Sequence, residues 1–369
     1  MKILFLAPTL QEGGGVADYT RRLAHALREL GEDVRRISLN EREGEAGEDP
    51  DRMEARLSWK SRRDRLQGII DEFEPDIVSL QYVPYGFHPK GLAIRLPRYL
   101  ASLNGGFRWH FMFHELWIGE EAHYTPLQRM VGGVQRKIVS ALGSLDPVLI
   151  HTSNTEYCLR LQGIGMKAVE LPLFGNIPLS VIDPTTRGSL MLRAVPASQS
   201  HETRWILVFF GGLLSGWDPR ELLAFLHKAL IRANIDRCIL VRIGKPGKNG
   251  KEIWEEIQRA ASSEFSFVSV GEASPEVISR HLHAADFGIV TTPLHLLGKS
   301  GSAAAMREHG LPLIVVRGNR SPTCEIPEDV VIPGDSSDGM LSEIGKVPPK
   351  ERVNDVAKRF LADLQLSWS

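Results

Sequence analysis

A run of small polar residues, Lys299-Ser300-Gly301-Ser302, opens a stretch with the apolar spacing of a helix, 301–309. A serine-glycine-serine turn at a helix start offers backbone amides, two hydroxyl groups and the positive end of the helix dipole, all of which favour a phosphate group. Lys299 adds a full positive charge next to that turn. The run is therefore a candidate phosphate site. The alternative is an ordinary capped helix, in which Ser300 or Ser302 only closes the first turn.

A second glycine-rich segment, Gly13-Gly14-Gly15, lies between the apolar run 2–8 and the helix-like pattern 16–30. Glycines without side chains leave bare backbone amides beside a helix N-terminus, where an anionic or polyhydroxylated ligand can approach closely. This order of strand, loop and helix predicts a ligand site at the front of the chain.

The composition is that of a globular chain without bulk charge. The chain has 369 residues, 43% of them hydrophobic, which favours two domains over one. Because 44 basic residues stand against 45 acidic ones, nothing suggests a nucleic-acid partner held by bulk electrostatics. Cys158, Cys238 and Cys324 lack the spacing of a metal site and are expected to be free thiols in a reducing compartment.

The apolar runs are short throughout the chain. The N-terminal run is too short for a signal peptide, and no run reaches the roughly 20 residues that span a bilayer. We therefore expect a cytoplasmic protein whose membrane contact, if it has any, is peripheral. The predicted helix around 127–145 carries basic and apolar side chains together and is a candidate for such contact, although an ordinary surface helix is the alternative.

Short apolar runs alternate with helix-like patterns in two successive halves. Runs without polar alternation, separated by crossover helices, are typical of parallel sheets that are covered on both faces. We predict two Rossmann-like domains at 1–180 and 205–346, a linker at 181–204, and a terminal amphipathic helix at 347–369. The charged stretch 41–64 predicts a long, mobile surface loop. The terminal helix must dock its apolar stripe, either on its own domain or by returning to the first.

Several segments of this layout are distinctive. They are Gly13-Gly14-Gly15-Val16-Ala17-Asp18-Tyr19, Phe209-Phe210-Gly211-Gly212-Leu213, Ala285-Asp286-Phe287 and His309-Gly310-Leu311-Pro312-Leu313-Ile314. Together with the two tandem halves, they resemble the GT-B glycosyltransferases of the large retaining class called family 4. The resemblance implies that two Rossmann-like domains face each other across a cleft, with no obligatory metal and no cofactor. A nucleotide diphosphate sugar is the substrate of such enzymes.

The resemblance also implies where each substrate binds. The C-terminal domain of the family holds the donor, which here points to Gly212, Lys245, Ser300, Gly301, Ser302 and Glu308. The N-terminal domain holds most of the acceptor, a saccharide or a lipid-linked sugar, which points to Gly14, Gly15, Tyr82 and Tyr85. His114, at a predicted strand end, matches a family histidine that contacts the transferred sugar, and Lys299 joins it as a catalytic candidate. For His114 the alternative is a buried histidine with structural partners only.

Two departures from the family pattern lie at the predicted donor site. The family carries a pair of glutamates where Leu297 and Ala305 stand here, and neither side chain accepts a hydrogen bond. The family also carries an arginine and a lysine in the loop 212–218, where Leu213 replaces the arginine. The missing charge must then come from Lys299 or from the run 242–248, which contains Lys245.

The sequence therefore predicts a hexosyltransferase that retains the anomeric configuration and builds a polysaccharide or glycolipid. Two other functions remain open. One is a catalytically silent GT-B subunit that binds a nucleotide sugar or a partner enzyme, because lost charged residues are typical of such proteins. The other is a different nucleotide-sugar enzyme on the same fold, such as an epimerase.

Overall fold

A computed structural model describes residues 1–11, 13, 15–47, 49–120, 124–194, 202–245, 247–318, 325–334, 341 and 343–367. The chain divides into two compact units. The first unit comprises Met1–Leu173 and Val353–Ser369, and the second unit comprises Phe174–Arg352.

The first unit is built around a parallel sheet. Within its described residues the sheet has seven strands in the order β3-β2-β1-β4-β5-β6-β7. The strands are β1 (Lys2–Ala7), β2 (Asp33–Glu41), β3 (Arg52–Glu54), β4 (Ile77–Tyr82), β5 (Arg108–Phe113), β6 (Leu149–Thr152) and β7 (Val169–Glu170). The helices are α1 (Gly15–Glu29), α2 (Trp59–Phe73), α3 (Pro84–Phe87), α4 (Leu96–Ala101), α5 (Pro126–Gly143) and α6 (Thr155–Gln162).

The second unit repeats this plan. Its described strands follow the order β10-β9-β8-β11-β12-β13, and every adjacent pair is parallel. The strands are β8 (Arg204–Phe210), β9 (Arg237–Ile243), β10 (Phe265–Gly271), β11 (Phe287–Val290), β12 (Leu313–Val315) and β13 (Val330–Val331). The helices are α7 (Pro184–Ala194), α8 (Pro219–Ala233), α9 (Gly250–Ala260), α10 (Pro275–Ala284) and α11 (Gly301–Glu308), with a 3-10 helix at Leu294–Lys299.

Each sheet has one position at which the order of its strands reverses. In the first unit the strand order reverses between β1 and β4, and in the second it reverses between β8 and β11. Loops that leave neighbouring strands on opposite faces open a crevice at this point, and ligands of such sheets bind there, outside the carboxyl ends of the strands. The fold thus marks one such position in each unit.

The C-terminal helix α12 (Val353–Leu366) packs on the first unit, which decides between the two docking options that the sequence left open in favour of the return. Its buried stripe includes Val356, Phe360 and Leu364, the residues whose spacing predicted an amphipathic helix. Phe360 contacts the ring of Phe5 in β1, with the ring centroids 6.1 Å apart. The helix therefore completes the core of the first unit.

The segment 41–64 is not the surface loop that its charge predicted. It contains β3, which extends the sheet beside β2, and its Met53 is fully buried. The segment folds on polar contacts, because the buried Glu41 carboxylate accepts hydrogen bonds from Thr9 Oγ1 at 2.5 Å and from the Leu10 amide at 2.7 Å. Charge density alone therefore misled the prediction.

The predicted linker 181–204 contains the helix α7. Its Leu190 is buried in the core of the second unit, and its Arg187 pairs with Asp286 at 3.0 Å. The helix has one buried residue, too few for an apolar stripe to appear in the sequence. Residues 195–201 lie outside the described part.

No helix in the described part of the chain is both long and apolar enough to cross a membrane. Cys158 and Cys238 are free thiols, and Cys324 lies outside the described residues.

Candidate functional site

The loop after β8 makes the closest backbone approach at the switch point of the second unit. Gly211 has a φ of +88°, a conformation that favours glycine, and a Cβ atom placed on it would lie 2.7 Å from Ser302 Oγ. Ser302 belongs to the first turn of α11. The glycine therefore brings a bare stretch of backbone against the start of a helix.

Thr291, directly after β11, holds this loop in place. Its hydroxyl accepts a hydrogen bond from the Leu214 amide at 3.0 Å and lies 3.4 Å from the carbonyl oxygen of Gly212. A small cavity of about 30 Å³ lies beside these groups. It is lined by Phe210, Gly212, Leu213, Ile289, Val290, Thr291, Thr292, Ser300, Ser302 and Met306. That volume admits a water or a phosphate oxygen and not a whole nucleotide, so it can serve only as an anchoring point.

The predicted phosphate turn lies at the N-terminus of α11. Ser300 is the N-cap, and its hydroxyl oxygen accepts a hydrogen bond from the Ala303 amide at 3.2 Å. The capping alternative is thus realised for Ser300, yet a capping hydroxyl keeps its own proton and can still donate it to an anion. Gly301 follows the cap, and Lys299 precedes it at the end of the 3-10 helix. The first turn of α11, with Ser300 and Ser302, therefore lies next to Gly212 at the cavity.

The basic residues proposed from the run 242–248 lie in different surroundings. Lys245 is exposed and forms an ion pair with Glu272 at 3.2 Å, which ties it to the surface beside β10. Arg242, near the end of β9, lies 5.8 Å from the ring of Trp254. Its Nε and Nη1 atoms are buried and have no hydrogen-bond partner among the described residues.

A further cation, Arg317, was not expected from the sequence. It follows β12, and a Cβ atom placed on Gly216 would lie 3.4 Å from its Nη2. Its Nε atom is buried and has no hydrogen-bond partner within the described part of the chain. Arg317 therefore packs on the loop 212–218, in which the resembled family carries its own cations. A basic residue directly after a strand was the available signal.

Glu308 lies inside the second unit. It is fully buried, and its Oε1 accepts a hydrogen bond from the Arg352 amide at 3.0 Å. A Cβ atom on Gly175 would lie 2.6 Å from its Oε2, so the backbone of 174–176 passes directly over it. These contacts give Glu308 a structural role in holding the segment that precedes α12, and they leave its predicted donor contact without support in this arrangement.

A larger cavity of about 360 Å³ lies elsewhere in the second unit. It is lined by residues before β12 and β13, including Arg307 and Asp329, which form an ion pair, and by residues before α12, including Arg352. This is the amino end of those strands, whereas ligands of open parallel sheets bind at the carboxyl ends. We therefore place the candidate donor site at the smaller cavity.

In the first unit, Glu41 anchors the loop that leads to the glycines. Burial alone would raise its pKa, but hydrogen bonds from Leu10, Thr9 and Arg52 hold the pKa of the carboxyl group below its usual value. Glu41 therefore stays ionised and fixes Thr9 and Leu10 at the switch point between β1 and β4. Gly15 begins α1, and Gly14 lies outside the described residues.

His114 follows β5 and lies beside this loop. Its ring contacts Tyr19 of α1 edge to face, with centroids 4.8 Å apart, and its Nε2 lies 2.9 Å from Gln81 Oε1. Burial lowers the pKa of His114 to about 3, so the ring is neutral at physiological pH. A neutral imidazole can exchange hydrogen bonds with a ligand but carries no charge with which to stabilise one.

The two tyrosines differ in their access to a ligand. Tyr82 is fully buried, stacked on Phe87 at 6.0 Å, and burial raises the pKa of its phenol. Its ring is core, and the expectation that it stacks on a sugar does not fit this structure. The apolar context of β4 was the missed signal. Tyr85 in α3 is 45% exposed and remains available for contact.

No group of three or more His, Cys, Asp or Glu residues in the described ranges could hold a metal ion.

Comparisons with known proteins define the fold. No family model matches the sequence, and no curated protein is similar to it at the sequence level. Solved structures are similar over almost the whole chain. A UDP-GlcNAc 2-epimerase from Neisseria meningitidis, bound to UDP-GlcNAc, has a TM-score of 0.54 at 11% identity, covering 99% of this chain and 100% of that one.

Two transferases are similar to the same degree. The lipopolysaccharide outer core galactosyltransferase WaaB has a TM-score of 0.54 at 12% identity, covering 100% of this chain and 99% of that one. An alpha-glucosyltransferase in complex with UDP-glucose and DNA has a TM-score of 0.52 at 11% identity, covering 99% and 92%. The chain therefore has the GT-B fold, with two parallel-sheet α/β domains, as the sequence predicted.

Proposed function

We propose that the second unit binds a nucleoside diphosphate sugar and that the protein transfers the sugar, a hexose, to an acceptor. The acceptor is a saccharide or glycolipid that the first unit holds, in the synthesis of a polysaccharide or cell-surface glycan. Retention of the anomeric configuration, which the family resemblance implies, is part of the proposal.

One observation carries the proposal. The Gly211–Gly212 backbone, the Thr291 hydroxyl and the N-terminus of α11 meet at the switch point of the second sheet. Backbone amides and hydroxyls at a helix N-terminus suit a phosphate group, and sheets of this topology bind nucleotides at this position. GT-B relatives by fold include proteins solved with UDP-GlcNAc and UDP-glucose, which supports a nucleotide sugar as the ligand.

In the resembled family, cations in the loop that corresponds to 212–218 neutralise the diphosphate. In this chain the positive charge must come from residues outside that loop. Arg317 reaches the loop 212–218 from β12, and Lys299 stands one residue before the α11 cap. We propose that these two cations neutralise the diphosphate in place of the residue that Leu213 replaces. Catalysis then rests on stabilising the leaving diphosphate and on positioning the reactants.

The acceptor side of the proposal uses His114, Gly15 and Tyr85 of the first unit. His114 is a neutral ring beside the glycine loop, and Tyr85 is an exposed aromatic face suited to a sugar ring. With a formal net charge of -1, the chain has no electrostatic preference for a DNA acceptor.

An epimerase is the second candidate. It is favoured by fold similarity to UDP-GlcNAc 2-epimerases and by Leu297 and Ala305, which lack the polar groups of the family 4 donor site. An epimerase releases a new sugar nucleotide without any acceptor. A catalytically silent subunit would bind the ligand and release nothing.

Product analysis separates these functions. We expect UDP- or GDP-hexoses to yield free nucleoside diphosphate at least ~10-fold faster when short saccharides or octyl glycosides are present. Ser302→Ala should lower this rate by roughly 10-fold because it removes a hydroxyl from the anchoring point. Ser269→Ala on β10 makes the same chemical change away from the site and should leave the rate unchanged. An epimer formed without acceptor would assign the second candidate instead.

We also propose peripheral contact of the first unit with an anionic membrane through the start of α5. Leu127 and Met130 are exposed there, and α5 carries Arg129, Arg136 and Lys137 with no acidic residue. Apolar side chains flanked by basic ones favour the surface of an anionic bilayer.

Vesicle sedimentation tests this contact. The protein should bind vesicles that contain phosphatidylglycerol and not vesicles of pure phosphatidylcholine, and Leu127→Asp should weaken binding by roughly 10-fold. Leu192→Asp, on an exposed leucine of α7, is the matched control and should bind as the wild type does. Equal binding by both variants would argue against the proposed surface.

A further inference from the structure

A continuous chain of hydrogen bonds, buried in its middle part, runs through the first unit from the C-terminal helix to His114. Its five donor–acceptor distances lie between 2.7 and 3.1 Å. Its members are Asp363 of α12, His151 of β6, His110 of β5, Ser79 and Gln81 of β4, and His114. We call these six side chains the histidine chain. His151, His110, Ser79 and Gln81 are fully buried.

The direction of every bond follows from the charge on Asp363. An ionised carboxylate only accepts, so His151 donates from Nε2 at 3.1 Å. A neutral His151 then accepts at Nδ1 from His110 Nε2, which leaves His110 Nδ1 to accept from the Ser79 hydroxyl at 2.7 Å. Desolvation lowers the pKa of both imidazoles, which keeps them neutral.

The same order continues to His114. Because the Ser79 hydroxyl donates its hydrogen bond to His110, its oxygen is free to accept a hydrogen bond from Gln81 Nε2 at 2.8 Å. The Oε1 atom of Gln81 therefore faces His114 Nε2 at 2.9 Å and must accept from it. The proton of His114 lies on Nε2, and its Nδ1 is an acceptor.

The histidine chain has a second self-consistent order. If both buried imidazoles carried the proton on Nδ1 and the Gln81 amide were reversed, every bond would run the opposite way and His114 would donate from Nδ1. Asp363 cannot donate while it is ionised, so its charge excludes that order. Phe360, one turn before Asp363 on α12, packs edge to face on His110 at 5.0 Å and shields this part of the histidine chain from solvent.

We propose that Asp363 is a positioning residue: through the histidine chain it fixes His114 in the Nε2–H form, so that Nδ1 accepts a hydrogen bond from a sugar hydroxyl. The role of the hydroxyl rests on the proposed function, whereas the control of the tautomer does not. Docking of the C-terminal helix is thereby coupled to the hydrogen-bonding character of a residue at the candidate acceptor site.

Long-range ¹H–¹⁵N spectra of ¹⁵N-histidine-labelled protein test the proposal, because they report which ring nitrogen carries the proton. The wild type should show His114 protonated on Nε2. Asp363→Leu removes the acceptor and Ser79→Ala interrupts the chain, and each should move at least part of the His114 population to the Nδ1–H form. Arg359→Gln is the control, since Arg359 contacts Asp363 at 3.7 Å outside the chain. That variant should leave the tautomer as it is.

A functional readout accompanies the spectra. In Asp363→Leu, kcat/KM for a nucleotide sugar should fall on the order of 10-fold, while the affinity for the free nucleoside diphosphate stays within about 2-fold, because that ligand has no sugar. If His114 keeps its Nε2 proton in both Asp363→Leu and Ser79→Ala, the proposal is wrong. If the tautomer changes but the wild type binds no nucleotide sugar, control of the tautomer stands and the proposed function fails.

Discussion

Replacing Gly211 by valine is expected to lower the affinity for nucleoside diphosphates on the order of 100-fold, or roughly 3 kcal/mol. Gly211 has a φ of +88°, and its missing Cβ would lie 2.7 Å from Ser302 Oγ. A valine therefore strains the backbone and fills the space between the loop and α11, where we place the phosphate groups. Titration calorimetry of the purified variant measures the change.

A control variant distinguishes the effect of backbone strain from the effect of blocking the candidate site. Gly271 ends β10 with a similar φ of +78°, but no described atom lies within 4 Å of its missing Cβ. Gly271→Val therefore carries the same backbone penalty without touching the loop 212–218, and it should bind as the wild type does. An equal loss in both variants would mean that the effect comes from general destabilisation of the second unit.

The first unit is expected to lose stability steeply as the pH falls from 6.5 to 5. Burial lowers the pKa of His110, His151 and His114, whereas an unfolded histidine titrates near 6.5. Between these values the unfolded chain binds more protons, so the free energy of unfolding decreases with falling pH. The three rings together should cost roughly 5 kcal/mol over this range.

The surroundings of His110 and His151 also affect the shape of the profile. Asp363 favours the charged form of His151, Arg359 opposes it, and His114 and His151 both oppose charging of His110. Carboxyl groups with a lowered pKa, such as Glu41, respond only below about 4.5, outside this range.

Hydrogen exchange of the β4 and β5 amides measures this loss separately from the second unit. His151→Gln should reduce the pH dependence by about a third, since one of the three histidines with a lowered pKa is removed. A flat profile between pH 5 and 7 in the wild type would contradict the buried, neutral state of these rings.

Sequence patterns predicted the framework of the fold well, because the spacing of apolar residues indicates both buried parallel strands and amphipathic helices. The pattern located β9 and α8 at the bounds observed, and the stripe through Phe360 indicated the docking face of α12. Elements held by polar contacts were missed. The segment with β3 folds around the buried Glu41, and α7 docks mainly through Leu190 and Arg187, which leaves little periodicity to detect.

The candidate site was predictable only in part. Turn residues at a helix start, such as Ser300 and Ser302, can be found from local sequence, and the structure places them at the switch point. Contacts between distant segments cannot be found in this way. Arg317 meets the loop 212–218 through the sheet topology, and Asp363 reaches His151 through the returning helix. Tyr82 has an aromatic side chain of the kind that contacts sugars, but it lies in the core.

The central claim is that the second unit binds a nucleoside diphosphate sugar at the start of α11, and calorimetric titration of the wild type tests it most directly. With UDP, GDP and their hexose conjugates as ligands, at least one pair should bind with a dissociation constant on the order of micromolar, and Gly211→Val should weaken that binding on the order of 100-fold. Failure of every nucleotide and nucleotide sugar to bind the folded wild type would contradict the account.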